Sequence, residues 1–132
     1  VALLRNDVQL MIDFYGPMKA TLLERKIRPI ATAGRERSPF LSQVPTVAQA
    51  GVPGYEVVSW NGLFAPAGTP GEIIALLNRA IHEIVALPEV RQHYADLGIE
   101  ARASSPQELK ALLVADIAKW TALIERAGIA KL

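Results

Sequence analysis

Apolar and polar positions along the chain follow two rhythms, one that suits short buried strands and one that suits amphipathic helices. Residues 8–12 (Val8, Gln9, Leu10, Met11, Ile12) form a short, mostly apolar run rich in β-formers, which predicts a buried parallel strand closed by Asp13. Ahead of it, Val1 to Leu4 predict the end of a helix, stopped by a turn at Arg5-Asn6-Asp7. Gly16-Pro17 opens a helix predicted to reach about Lys26, with proline at a tolerated first-turn position and Met18, Leu22 and Leu23 facing inward. Residues 27–33 predict a second strand, ended by Gly34, so the first part of the chain reads as a strand–helix–strand unit.

Loop signals follow at Ser38-Pro39 and Val44-Pro45, then one or two helical turns from Thr46, a plausible cap, to Gly51. Residues 55–64 predict a third strand, bent at Gly62 and broken at Ala65-Pro66-Ala67-Gly68. Thr69-Pro70-Gly71-Glu72 predicts a capping box for a helix that carries Ile73, Leu77, Ala80, Ile81 and Ile84 on one face and stops before Pro88. A shorter helix over residues 89–97 ends at Gly98, and residues 99–103 predict a fourth, short strand. Ser105-Pro106-Gln107-Glu108 repeats the capping-box grammar and opens the longest helix, to about Arg126, with Leu109, Leu112, Leu113, Ile117, Trp120 and Ile124 as its apolar stripe. Trp120 is expected in the core. The fold class is α/β, with strand and helix alternating first and helix dominating later. The boundary falls in the glycine- and proline-rich stretch from Gly62 to Gly68, which divides residues 1–61 from residues 62–132.

Composition narrows the function. With 51% hydrophobic residues among 132, a core is affordable, and no apolar run approaches the ~20 residues of a membrane-spanning helix. The net charge is +1 and the basic residues are scattered, so no nucleic-acid partner is expected. Absence of cysteine excludes thiol catalysis and cysteine-ligated metals. His82 and His93 lack metal-ligand spacing, no serine sits in a nucleophile elbow, and no glycine-rich phosphate loop occurs. The sequence therefore predicts no catalytic residue, no metal site and no cofactor, and a binding protein rather than an enzyme.

Two groups of residues are candidates for ligand contact. In open α/β sheets ligands bind beyond the carboxyl ends of strands, where Asp13 is expected. Its carboxylate either accepts hydrogen bonds from a ligand amine, hydroxyl or bound water, or caps the helix that follows. Phe14 and Tyr15 beside it either wall a cleft or pack on the sheet. Trp60 and Asn61, late in the third strand and ahead of Gly62, either form a pocket wall with a polar handle or belong to the core.

The order of motifs from Asp13 onward resembles one family. Ile27-Arg28-Pro29-Ile30-Ala31 is followed by Arg37-Ser38-Pro39 and by the run from Val44-Pro45-Thr46 to Pro53-Gly54-Tyr55. Then come Ser59-Trp60-Asn61-Gly62-Leu63, Ala65-Pro66-Ala67-Gly68-Thr69-Pro70, Leu87-Pro88-Glu89-Val90-Arg91 and Leu97-Gly98. Together these resemble the tripartite tricarboxylate transporter receptors, the Bug or TctC-like periplasmic solute-binding proteins. The resemblance covers nearly the whole chain and implies the C-terminal portion of a two-lobed periplasmic-binding-protein fold. Residues 1–61 would form part of the second lobe, and residues 62–132 would cross back to pack on the first. It further implies a periplasmic location, a small carboxylate or amino acid as ligand, and a membrane permease as partner. Asp13 and the Trp60 region are the parts of the family's binding cleft that this chain matches. It departs from the family where Arg5-Asn6-Asp7-Val8-Gln9 stands for the usual Gly-Gly-x-Val-Asp, and where Phe14-Tyr15 replaces a small polar residue after the aspartate. Those bulky rings would reshape the pocket, so an aromatic or larger acid fits as well as a tricarboxylate. The chain opens with valine in a hydrophobic pattern and without a signal peptide, which leads to the expectation that it is a fragment of a longer receptor. The competing expectation is a self-associating α/β module, a homo-oligomer formed through exposed strand edges, with no solute binding of its own.

Overall fold

The computed structural model describes residues 2–130. Val1, the first residue of the predicted helix end, lies outside them. The described residues divide into two compact units. The first runs to Asn61 and adds Gln92–Glu100, and the second takes Gly62–Arg91 and the described residues from Ala101 on.

Within the first unit, Ala2–Arg5 forms a 3-10 turn. It stops at Asn6, whose φ of 61° is the left-handed conformation that asparagine tolerates. Helix α1 spans Tyr15–Leu23. It ends ahead of the expected Lys26 because Arg25 takes a φ of 55°, and the Arg25 and Lys26 amides turn back to Leu22 and Thr21 carbonyls. Met18 and Leu22 are half-buried as expected, but Leu23 is exposed.

The predicted strands are extended segments without ladders. Among the described residues the β pairing is a single parallel bridge, Thr32 to Thr46. Thr32 N–H donates to the Pro45 carbonyl at 2.9 Å, and Val47 N–H donates to the Thr32 carbonyl at 2.9 Å. Val57 N–H donates to the Ala33 carbonyl at 2.8 Å. Residues 32–33 thus lie between two other extended pieces. Pro29 and Pro45, both on the N-terminal side of the bridge, contribute no N–H, and on the other side the chain turns directly after Thr46, so no ladder grows. Residues 8–12, 55–64 and 99–103 are likewise not strands, since an extended segment becomes one only beside a hydrogen-bonding neighbour. The stretch after Thr46 is a succession of turns rather than a helix. Its cap is nevertheless formed: Gln49 N–H donates to Thr46 Oγ1 at 3.1 Å, and Thr46 N–H donates to Gln49 Oε1 at 3.2 Å. Arg37 Nε donates to the same Gln49 oxygen at 3.0 Å, and its Nη1 donates to the Ser42 carbonyl, which ties the Ser38-Pro39 loop to this turn.

The second unit contains α2 (Gly71–Ala86), the start of α3 (Pro88–Asp96) and α4 (Pro106–Arg126). The predicted capping box on α2 does not form. Pro70 is the N-cap, and the Thr69 hydroxyl donates to the Pro66 carbonyl at 2.8 Å instead of accepting from the helix. The box on α4 does form: Glu108 N–H donates to Ser105 Oγ, and Ser105 N–H donates to Glu108 Oε2 at 2.7 Å. Asn78 Nδ2, on α2, donates to the Ser104 carbonyl at 2.8 Å, and His82 Nε2 lies 3.3 Å from the same oxygen. One turn of α2 therefore holds the residue that leads into α4. Neither α2 nor α4 buries its apolar stripe fully. Ile73, Leu77 and Ile84 are exposed, as are Leu112 and Ile117. Trp120 is half-buried beneath the Lys119 ammonium rather than in a core. Among the described residues the buried one is Thr46, at 1% exposure, and no apolar side chain is buried. None of the helices described is long and apolar enough to cross a membrane.

Candidate functional site

The predicted site residues all fall in the first unit. Asp13 is exposed. Its Oδ1 accepts a hydrogen bond from Phe14 N–H at 2.7 Å. Phe14 is the N-cap of α1, without a side-chain cap bond, so Asp13 does not cap the first turn of the helix. Its carboxylate instead sits one residue upstream, with Oδ2 accepting no hydrogen bond from the described residues. The Phe14 ring is 66% exposed and does not pack on a sheet. Tyr15 is half-buried and stacks on Phe40, with ring centroids 5.1 Å apart and planes 5° from parallel. Trp60 is half-buried. Asn61 is exposed, and its amide makes no side-chain hydrogen bond among the described residues.

A second surface holds the start of α1 in place. The backbone of Gly16 lies so close to the turn after α3 that a Cβ on it would collide with the Leu97 carbonyl oxygen. A Cβ on Gly98 would fall 2.6 Å from the Tyr15 ring and 2.9 Å from the Gly16 backbone. Lys19 Nζ donates to the Asp96 carbonyl at 3.0 Å and stands 3.9 Å from the Asp96 carboxylate. Asp13 and Phe14 thus project from a helix start clamped by an aromatic stack and by a glycine–glycine approach. Phe40 is the member of this arrangement that sequence reasoning missed. Its signal was an aromatic directly after Ser38-Pro39, in a stretch read only as loop.

Sequence-distant polar groups also meet in the second unit, where a shallow groove of about 780 Å³ runs between α2 and the start of α4, lined by Ile74, Asn78, Arg79, His82 and Ser105 among others. It contains none of the predicted site residues. The Glu108 carboxyl near it is held below the usual carboxylate range, mainly by the Ser105 backbone N–H and then by the Ser105 hydroxyl, with a smaller contribution from His82. Among the described residues no group of three or more His, Asp or Glu is gathered as a metal would require.

Comparison with known proteins gives the family. The model of the tripartite tricarboxylate transporter family receptor matches residues 1–129, so the chain belongs to that family, one of receptors and not of enzymes. It is 35% identical over 123 residues to the UPF0065 protein in the tcbD-tcbE intergenic region of Pseudomonas sp. (strain P51), covering 92% of this chain and 37% of that protein. Among solved structures, R. palustris Rpa4515 with adipate is similar at 38% identity and a TM-score of 0.80, over 99% of this chain and 44% of that one. The periplasmic binding protein BugD is similar at 27% identity and a TM-score of 0.72, over 87% of this chain and 39% of that one. The chain spans less than half the length of these relatives. Its fold accordingly matches part of an α/β, two-lobed periplasmic-binding-protein fold.

Proposed function

We propose that this chain is the part of an extracytoplasmic solute receptor that supplies one wall of its cleft, and that the receptor binds a small organic acid or amino acid and delivers it to the permease of a tripartite tricarboxylate-type transporter. The observation that carries this reading is the match over 99% of the chain to a structure holding adipate. Periplasmic location follows the same likeness, through BugD. Residues 1–61 belong to the second lobe of that receptor, and residues 62–132 carry the crossover and the helices that pack on the first. Asp13, Phe14, Tyr15, Trp60 and Asn61 face the ligand. The self-associating module is the weaker account, because family and structural likeness both run to receptors.

Mutation in the full-length receptor tests the site. Asp13→Ala is expected to weaken ligand binding about tenfold or more while leaving the melting temperature nearly unchanged, because the carboxylate contributes one local hydrogen bond to an exposed amide. A large fall in melting temperature with unchanged affinity would show a structural role instead. Trp60 fluorescence, read in a Trp120→Phe background, is expected to change on ligand addition.

A further inference from the structure

We infer that the Asn61–Gly62 pair is a site of spontaneous covalent modification, at which the Asn61 side chain closes on the Gly62 backbone and is converted to a carboxylate. The chain has three asparagines, Asn6, Asn61 and Asn78. The reaction needs a side-chain amide free to turn, a following backbone nitrogen free to approach it, and little bulk on that following residue. Asn61 meets all of these demands. It is exposed, and its amide makes no side-chain hydrogen bond among the described residues. It lies in an extended, non-helical segment, and Gly62 N–H donates no hydrogen bond among the described residues either. Gly62 has no Cβ to block the approach, and its backbone is the most permissive of any residue type.

The other two asparagines are held. Asn78 lies inside α2, where its Nδ2 donates to the Ser104 carbonyl at 2.8 Å and the Arg79 N–H belongs to the helix's own bonding. Asp7 N–H, which follows Asn6, donates to the Ala2 carbonyl at 3.0 Å. At Asn61 the Gly62 nitrogen attacks Cγ, and its proton is lost as the new N–C bond forms. The Cγ–Nδ2 bond breaks, and the amide nitrogen leaves as ammonia. Water then opens the cyclic imide at either carbonyl. Aspartate results when the Gly62 nitrogen parts from Cγ, and isoaspartate when it parts from the Asn61 backbone carbon. Each conversion consumes water and releases ammonia, and nothing is oxidised or reduced. The product is ionised at neutral pH, so the chain's net charge falls by one from +1. Under the receptor reading above, a neutral amide facing the ligand becomes an anion.

Peptide mapping by mass spectrometry of the 132-residue chain, sampled during storage in warm, mildly alkaline buffer, tests this. Cleavage after glutamate separates the asparagines: Asn6 falls before Glu24, Asn61 between Glu56 and Glu72, and Asn78 between Glu72 and Glu83. The Asn61 peptide is expected to gain the mass of an NH2-to-OH exchange and to resolve into two products. That gain is expected on the order of tenfold faster than at Asn6 or Asn78, the factor that one freed hydrogen bond supplies. Gly62→Ala is expected to slow it by about the same factor, because the added methyl crowds the attacking nitrogen. An Asn61 peptide that keeps its mass, or gains it no faster than the other two, overturns the inference. Conversion at an equal rate in Gly62→Ala, or to aspartate alone, does the same by assigning the loss to direct hydrolysis. None of these outcomes bears on the receptor reading.

Discussion

Gly16 makes the opposite demand from the one its local structure advertises, whereas at Gly98 local structure and contacts agree. Gly16 lies in α1, where glycine ordinarily costs a helix about 1 kcal/mol relative to alanine, so Gly16→Ala would stabilise an isolated helix. Here the added methyl runs into the Leu97 carbonyl, which is backbone and cannot swing aside. Gly98 takes a φ of 76°, which alanine adopts only with strain, and its Cβ would also strike Gly16 and Tyr15. Both Gly16→Ala and Gly98→Ala are expected to destabilise, by about 1–3 kcal/mol each. Thermal melting checks this, and a higher melting temperature for Gly16→Ala would show that the approach is looser than described. The sequence displays Gly98 as a helix stop, which it is: Gly98 and Ile99 N–H groups donate to the Ala95 and Tyr94 carbonyls. It cannot display the contact with Gly16, because nothing local in either segment encodes a meeting between residues so far apart in the chain. Asp13, Phe14 and Tyr15 were legible as candidates by the same local signals, whereas Phe40 was not, since its importance lies in a stack on Tyr15.

At the scale of elements, helices were legible and strands were not, for one physical reason. A helix satisfies its own hydrogen bonds, so caps and periodicity suffice to place it. α4 runs from the proline after Ser105 to Arg126 as its pattern implies. The α2 box failed because Thr69 faces back into its own turn. A parallel strand draws its bonds from segments distant in sequence, and the apolar runs at residues 8–12 and 99–103 carry no information about whether such a neighbour is present. The α4 cap yields a prediction of its own. Ser105→Ala removes a hydroxyl that accepts from Glu108 N–H and donates to the Glu108 carboxylate, and is expected to cost about 1 kcal/mol of stability. Because Ser105 lowers the Glu108 pKa in the folded chain, the stabilisation is present in full above the ordinary carboxylate range and is lost as pH falls through the lowered value. Acid titration followed by circular dichroism is expected to show fraying of α4 at low pH. Glu108→Gln is expected to remove that step, and its persistence in the variant would assign it to another group.

For the whole molecule, the exposure of apolar residues is the dominant fact. Ile12, Leu10 and Leu63 are each at least 66% exposed, and α2 presents Ile73, Leu76, Leu77 and Ile84 to solvent. Such surface is costly in water and is covered when a partner surface is available. The 132-residue chain prepared by itself is expected to self-associate, seen as a mass above the monomer in light scattering that grows with concentration. A concentration-independent monomer would contradict that expectation. In the receptor account the same surfaces are covered by the remainder of the fold, of which this chain spans 44% in the adipate-bound relative. The α/β class and the family were legible in the order of motifs along the sequence, and residues 1–129 match the receptor family throughout. The ligand was not, because it depends on surfaces that meet only in the complete cleft.

The central claim, solute capture, is tested most directly by native mass spectrometry of the full-length protein mixed with a panel of small organic and amino acids. The account predicts one bound acid per chain, displaced in competition and lost together with affinity in Asp13→Ala. A full-length, folded protein that retains no acid from the panel in either form would contradict it.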